Sequence, residues 1–235
     1  MRLMPVRGVL LDIEGTTTPI AFVYDVLFPF ARSHASDFVK HADLTDLKRE
    51  HEEDMRRGHN PPPWSAAPVV YIRWLMDQDR KSTALKNIQG KIWQEGYQKG
   101  ELRGEVFQDV PPALERWHQK KIDIRIFSSG SILAQRLLFS STATGDLTRF
   151  LNGYFDTTTG PKHEPDSYAR IVHRFGIPAS EILFISDVTG ELDAARDAGL
   201  QTLLCLRPGN HPQPPHDHRT ITSFDEIDPK ITITG

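Results

Sequence analysis

An apolar run ends in Val9-Leu10-Leu11-Asp12-Ile13-Glu14-Gly15-Thr16, which puts two carboxylates two residues apart at the carboxyl end of a candidate buried strand. Open α/β sheets bind their ligands at that end. Gly15 permits the sharp turn that lets backbone N–H groups face an anion. A carboxylate nucleophile, a neighbouring acid and a cation site all fit these residues, although a plain strand-to-loop turn has the same composition. Three more segments carry matching chemistry. Ile122–Phe127 runs into Ser128-Ser129-Gly130-Ser131, whose hydroxyls, N–H groups and following helix are the parts of a phosphate cradle. Ser131 alone would serve as an ordinary N-cap. Lys162 precedes a helical stretch, a setting in which a lone lysine is usually solvated. Phe184-Ile185-Ser186-Asp187 again ends an apolar run in a carboxylate, with Glu191 four residues on. Asp187 could instead cap the next helix. Carboxylates with few positive neighbours suit Mg²⁺, which takes one or two of them together with water and phosphate.

The elements that position these residues follow from short apolar runs. Val6–Leu11, Ile122–Phe127, Ile182–Ile185 and Thr202–Leu206 are too short for helices and rich in β-branched residues, so they read as strands. Helical stretches lie between them, at Ile132–Phe139, Ser167–Phe175 and Leu192–Ala198. Strands alternating with helices imply a parallel sheet. From about Ile20 to Glu105 the periodicity is helical and no strand stands out. Asp43 is the expected N-cap of a charge-laced helix over Thr45–Arg57, with Gly58 ending it. Pro29 should kink or split a helix over Tyr24–Phe38. Trp74 and Trp93 fall on apolar faces, and Phe22, Tyr24 and Trp64 read as core with a lesser claim to line a ligand pocket. An α/β core interrupted by a helical insertion suggests a lid.

Composition narrows the function class. The 235 residues carry 25% charged side chains and a net charge of −3, an ordinary surface without the basic footprint of a nucleic-acid binder. No apolar run approaches the roughly 20 residues of a membrane span, and no signal-peptide pattern opens the chain. The single Cys205 excludes an internal disulfide and reads as a core thiol, so a cytoplasmic protein is expected. The lack of an extended exposed apolar pattern favours a monomer. His211, His216 and His218 look like metal ligands, but the prolines among them point to a solvated surface loop.

Strand–DxEGT, strand–SSG, a lysine and strand–SDxxxE, in that order, resemble the haloacid dehalogenase superfamily. The resemblance implies a Rossmann-like α/β core formed by residues 1–19 and 106–235, with a helical cap at 20–105. It implies Asp12 as nucleophile and Glu14 as acid–base residue, with Ser128, Ser129, Gly130 and Lys162 on the phosphate. One Mg²⁺ per chain would sit on Asp12, Glu14 and Asp187, with Glu191 behind. Asp-Ile-Glu-Gly-Thr-Thr-Thr-Pro-Ile, Phe-Ser-Ser-Gly-Ser, Ser-Asp-Val-Thr, Arg207-Pro-Gly-Asn and Ile221-Thr-Ser-Phe are similar, nearly end to end, to the enolase-phosphatase family of methionine salvage. Glu14, where most phosphatase relatives carry Asp, is a mark of that family. Its members enolise and then dephosphorylate a diketo-methylthiopentyl phosphate. Both Glu14 and a cap residue remain candidates for the enolisation base. Another phosphatase of the superfamily, or a non-catalytic binder of phosphorylated metabolites, are the alternatives.

Overall fold

The computed structural model describes residues 5–78, 80 and 82–227. In chain order its main elements are β1 (Gly8–Leu11), α1 (Phe28–Phe38), α2 (Thr45–Arg56), α3 (Pro68–Asp77), α4 (Thr83–Gln98) and α5 (Val110–Gln119). They continue with β2 (Asp123–Phe127), α6 (Ile132–Ser140), β3 (Gly153–Phe155), α7 (Pro165–Phe175), β4 (Ile182–Ser186), α8 (Thr189–Asp197), β5 (Gln201–Cys205) and β6 (Thr220–Ile221). The chain divides into two compact units, one formed by the chain up to Val23 and from Arg103 onward, the other by Tyr24–Leu102.

The first unit is built on a sheet of six parallel strands in the order β3-β2-β1-β4-β5-β6. β1 and β4 are fully buried apolar runs, as central strands covered on both faces must be. Leu11 lies level with Ile126 of β2 on one side and Ile185 of β4 on the other. Chain order therefore reverses at β1, which makes the carboxyl end of β1 a topological switch point. Tyr168, Ile171 and Phe175 line the buried side of α7 and pack with Phe127, Phe155 and Phe184 of the strands.

Six strands exceed the four that apolar runs reveal. β3 and β6 have three and two residues, too few for a local pattern, and exist by pairing at the sheet edges. Asp43 is not the N-cap of α2: Leu44 holds that position, while Asp43 Oδ1 accepts the Thr45 N–H at 2.9 Å and its hydroxyl at 2.6 Å in a turn just before the helix. Ser131 does cap α6, accepting the Ala134 N–H at 3.3 Å. Pro29 marks a real division, since a π-helical segment Phe22–Leu27 gives way to α1 with the proline in its first turn.

Among its described residues the second unit holds only helices. α1 packs on α3 and α4, and α2 on α4. Trp93 is buried and donates its indole N–H to Leu27 O at 2.7 Å, whereas Trp74 is half-buried and stacks on Tyr71. Tyr24 departs from its core reading, being 56% exposed and edge-on to Phe28. Asp54 is buried and receives Tyr71 Oη at 2.7 Å, Arg80 Nη2 at 2.7 Å and His59 Nδ1 at 2.8 Å. No helix of the described residues is long and apolar enough to cross a membrane.

Candidate active site

Three adjacent strands each stop one residue short of a polar group: β2 before Ser128, β1 before Asp12 and β4 before Asp187. Parallel pairing in register thus sets these groups along one edge of the sheet. Asp12 is buried and anchored by its neighbours. Its Oδ1 accepts Lys162 Nζ at 2.7 Å and the Ile13 N–H at 2.7 Å, and its Oδ2 faces Ser186 Oγ at 3.1 Å. Lys162 is 9% exposed and also meets Glu191 Oε2 at 2.6 Å. Its position comes from the turn before α7, where Tyr168 Oη donates to Lys162 O and Ser167 Oγ to Pro161 O, at 2.8 and 2.7 Å. Lys162 is therefore a buried, doubly paired cation and departs from the solvated state usual for such a lysine.

The backbone after β1 forms a tight turn. Gly15 takes φ +67°, and the N–H groups of Thr16, Thr17 and Thr18 converge on Ile13 O at 3.2, 3.0 and 2.9 Å. A Cβ at Gly15 would lie 2.2 Å from Asp187 Oδ2, so only glycine lets this turn approach that carboxylate. Glu14 is half-buried and bridges to Thr18. Ser128 is buried, and its Oγ accepts the Gly130 N–H at 3.2 Å, while Ser129 is exposed. Gln135 ties the Gly130 carbonyl to the Phe155 carbonyl, donating to each at 2.8 Å.

Buried negative charge outnumbers positive charge here. One lysine serves three carboxylates, Asp12, Asp187 and Glu191. Burial, followed by the charges of Asp12 and Glu191, pushes Asp187 up to about 7. Burial and then Asp12 raise Glu191 as well, despite its contact with Lys162. Burial alone would lower Lys162, but Asp12 and Glu191 outweigh it and hold the ammonium charged. An excess of buried negative charge beside Asp12 and Asp187 is what a divalent oxygen-seeking cation compensates. Among the described residues no cluster of three or more His, Cys, Asp or Glu side chains is ready to hold a metal. Two carboxylates with a backbone carbonyl fit Mg²⁺, which keeps several of its waters.

The family described as haloacid dehalogenase-like hydrolase matches residues 6–199. Enolase-phosphatase E1 of Synechococcus elongatus is 49% identical over 234 residues, covering 94% of this chain and 98% of its own length. A Vitis vinifera protein named probable bifunctional methylthioribulose-1-phosphate dehydratase/enolase-phosphatase E1 is 47% identical, and the match covers 94% of this chain and 47% of that one. The crystal structure of the UTR4 protein from Saccharomyces cerevisiae has a TM-score of 0.78 at 34% identity, with 94% of this chain and 99% of that chain covered. The chain belongs to the enolase-phosphatase family of haloacid dehalogenase-like hydrolases.

For this member of the enolase-phosphatase family, sequence reading passed over Ser186. It lies between Asp12 Oδ2 at 3.1 Å and Glu191 Oε2 at 3.0 Å, and its Oγ accepts the Val188 N–H. Only its place directly before Asp187 hinted at this. Asp187 is not a helix cap, since Val188 occupies the N-cap of α8. The three histidines separate. His211 and His216 are exposed, but His218 is buried, with Nε2 3.0 Å from Asp193 Oδ1 and Nδ1 3.4 Å from Thr202 Oγ1. The expected solvated loop therefore fails at His218, which the carboxylate of α8 draws inward.

Proposed function

We propose that this chain is the bifunctional enolase-phosphatase of methionine salvage. It converts 2,3-diketo-5-methylthiopentyl 1-phosphate to the acireductone 1,2-dihydroxy-3-keto-5-methylthiopentene and phosphate. The observation that carries this reading is the 49% identity to an enolase-phosphatase over nearly the whole of both chains. The Vitis relative adds support, because its name joins the same activity to one acting on a methylthio sugar phosphate.

Enolisation comes first: Glu14, one of the candidate bases, takes the proton from the carbon that bears the phosphate ester, the C–H electron pair forms the C=C bond, and the neighbouring carbonyl oxygen takes a proton from water to become the enol hydroxyl. Asp12 then attacks phosphorus in line: its carboxylate oxygen forms the new O–P bond as the ester O–P bond breaks, giving an aspartyl-phosphate. The leaving enol oxygen takes a proton from the Glu14 carboxyl. Glu14 next removes a proton from water as that water attacks phosphorus, which frees phosphate and restores Asp12. Such acid–base help is worth roughly 10² to 10⁴ in rate. Lys162 and the Ser128, Ser129 and Gly130 donors hold the phosphoryl oxygens, since phosphoryl transfer depends mainly on position and charge. Mg²⁺, held by Asp12, Asp187 and the Glu14 backbone carbonyl, would neutralise phosphoryl charge and polarise the diketone. Glu191 orients Lys162, which it contacts at 2.6 Å.

The helical insertion over residues 20–105 serves as the cap domain. The enzyme works as a cytoplasmic monomer on a small ester, without nucleic acid or membrane. The test follows phosphate release and acireductone formation together, with Mg²⁺ and with EDTA, for wild type and Asp12→Asn. Both products should require metal and wild type, the variant losing at least about 10³-fold. Hydrolysis of generic esters with this substrate ignored would sink the methionine-salvage assignment and leave the superfamily membership standing.

A further inference from the structure

The turn that carries Glu14 is gripped from a distant part of the chain. Two of its carbonyls are satisfied within the turn, Asp12 O by Thr17 Oγ1 at 3.1 Å and Thr18 O by the Gly15 N–H at 2.8 Å, and Thr17 O accepts the Phe107 N–H at 3.0 Å. Gly15 O and Thr16 O instead turn to the loop that follows β5. Asn210 Nδ2 donates to Gly15 O at 2.9 Å and to Cys205 O, the last residue of β5, at 3.2 Å. Arg207 Nε donates to Thr16 O at 3.2 Å, its Nη1 to Thr222 O at 2.9 Å, and its Nη2 pairs with Asp109 Oδ2 at 2.9 Å. The guanidinium lies between the Phe107 and Phe224 rings, 4.5 and 4.9 Å from their centroids, with 4% of the side chain exposed. Asp109 is fixed in turn by the Phe224 N–H at 2.6 Å and Ser223 Oγ at 3.1 Å.

A buried ion pair is a poor way to gain stability, because desolvation offsets most of the attraction. What a guanidinium offers is a rigid fork that meets several acceptors in one plane while stacking on aromatic faces. Here that fork ends on the backbone of the turn two residues past Glu14, and Asn210 ends on the residue between them. We propose that Arg207 and Asn210 are positioning residues that set the Gly15–Thr16 backbone and thereby place the Glu14 carboxyl against the leaving oxygen. Asp109 and the two phenylalanines orient the guanidinium. A misplacement of about 1 Å in such a group can cost about 10² in rate. The inference rests on Glu14 acting as the general acid.

The test measures kcat and KM on the diketo-methylthiopentyl phosphate for wild type, Glu14→Gln, Asn210→Ala and Arg207→Lys, with the folded fraction of each checked by circular dichroism. Asn210→Ala, the milder change, covers the case in which Arg207→Lys does not fold. Positioning predicts that kcat falls roughly 10- to 100-fold with KM within about threefold. A normal kcat in Asn210→Ala would overturn the proposal. So would a loss of activity that only follows the loss of folded protein. If Glu14→Gln keeps the wild-type kcat, or wild type does not turn over the ester, the reading of Glu14 fails and takes the inference with it.

Discussion

Lys162 is the residue on which the site's charge balance turns, since it touches both Asp12 and Glu191 and is nearly sealed from solvent. Replacing it with methionine keeps the volume but leaves those carboxylates without their cation. Lys162→Met should lose at least about 10² in turnover and cost roughly 3–5 kcal/mol of stability at neutral pH. The deficit should shrink on acidification, because protonating Asp187 and Glu191 removes the repulsion the lysine relieved. Urea unfolding at pH 5 and pH 8 would show this, and an equal deficit at both would argue against it. Gly15 makes a second case at this scale. Gly15→Ala forces a side chain onto φ +67° and into the Asp187 carboxylate. It should abolish phosphate release and lower stability by at least about 1 kcal/mol, with calorimetry and a phosphate assay as the checks.

Among the elements, the helices of the inserted unit depend on a buried polar tie between α2 and α3. Asp54 of α2 receives Tyr71 of α3 and the following Arg80. Burial is the largest influence on Asp54 and works against its charge, yet the bonds from His59, Tyr71 and Arg80 hold it below the usual carboxylate range. Tyr71→Phe removes one donor to a buried charge and should cost about 1.5–3 kcal/mol. Limited proteolysis should cut within 24–102 faster in the variant, and unchanged cleavage would contradict the tie. The sheet makes the complementary point about elements. β1, β2, β4 and β5 announce themselves because each carries a short apolar run, whereas β3 and β6 do not. Gly153-Tyr-Phe and Thr220-Ile221 become strands only because β2 and β5 leave unpaired edges for them.

For the molecule as a whole, the crowded carboxylates link metal, pH and stability. Asp187 titrates near 7 when folded and near about 4 when unfolded, so the folded chain binds the extra proton between these values. Metal-free protein should therefore lose stability as pH rises through about 4 to 7, with the loss complete above 7. Mg²⁺ should raise the melting temperature more at pH 8 than at pH 5.5, by roughly 2–8 °C for 1–2 kcal/mol in a chain of this size. Asp187→Asn should melt higher than metal-free wild type at pH 8 and respond little to Mg²⁺. Equal Mg²⁺ effects at both pH values would refute the linkage. The sequence alone determined the α/β class and the candidate residues, because a buried strand and the turn after it are written in adjacent letters. Tertiary structure alone decided that Lys162 meets Asp12 across 150 residues and that Ser186 stands between two carboxylates. It alone decided that Arg207 closes on Thr16 across 191 residues and that His218 turns inward. Such pairings depend on strand order and loop closure, and these leave no periodic trace in the residues they join.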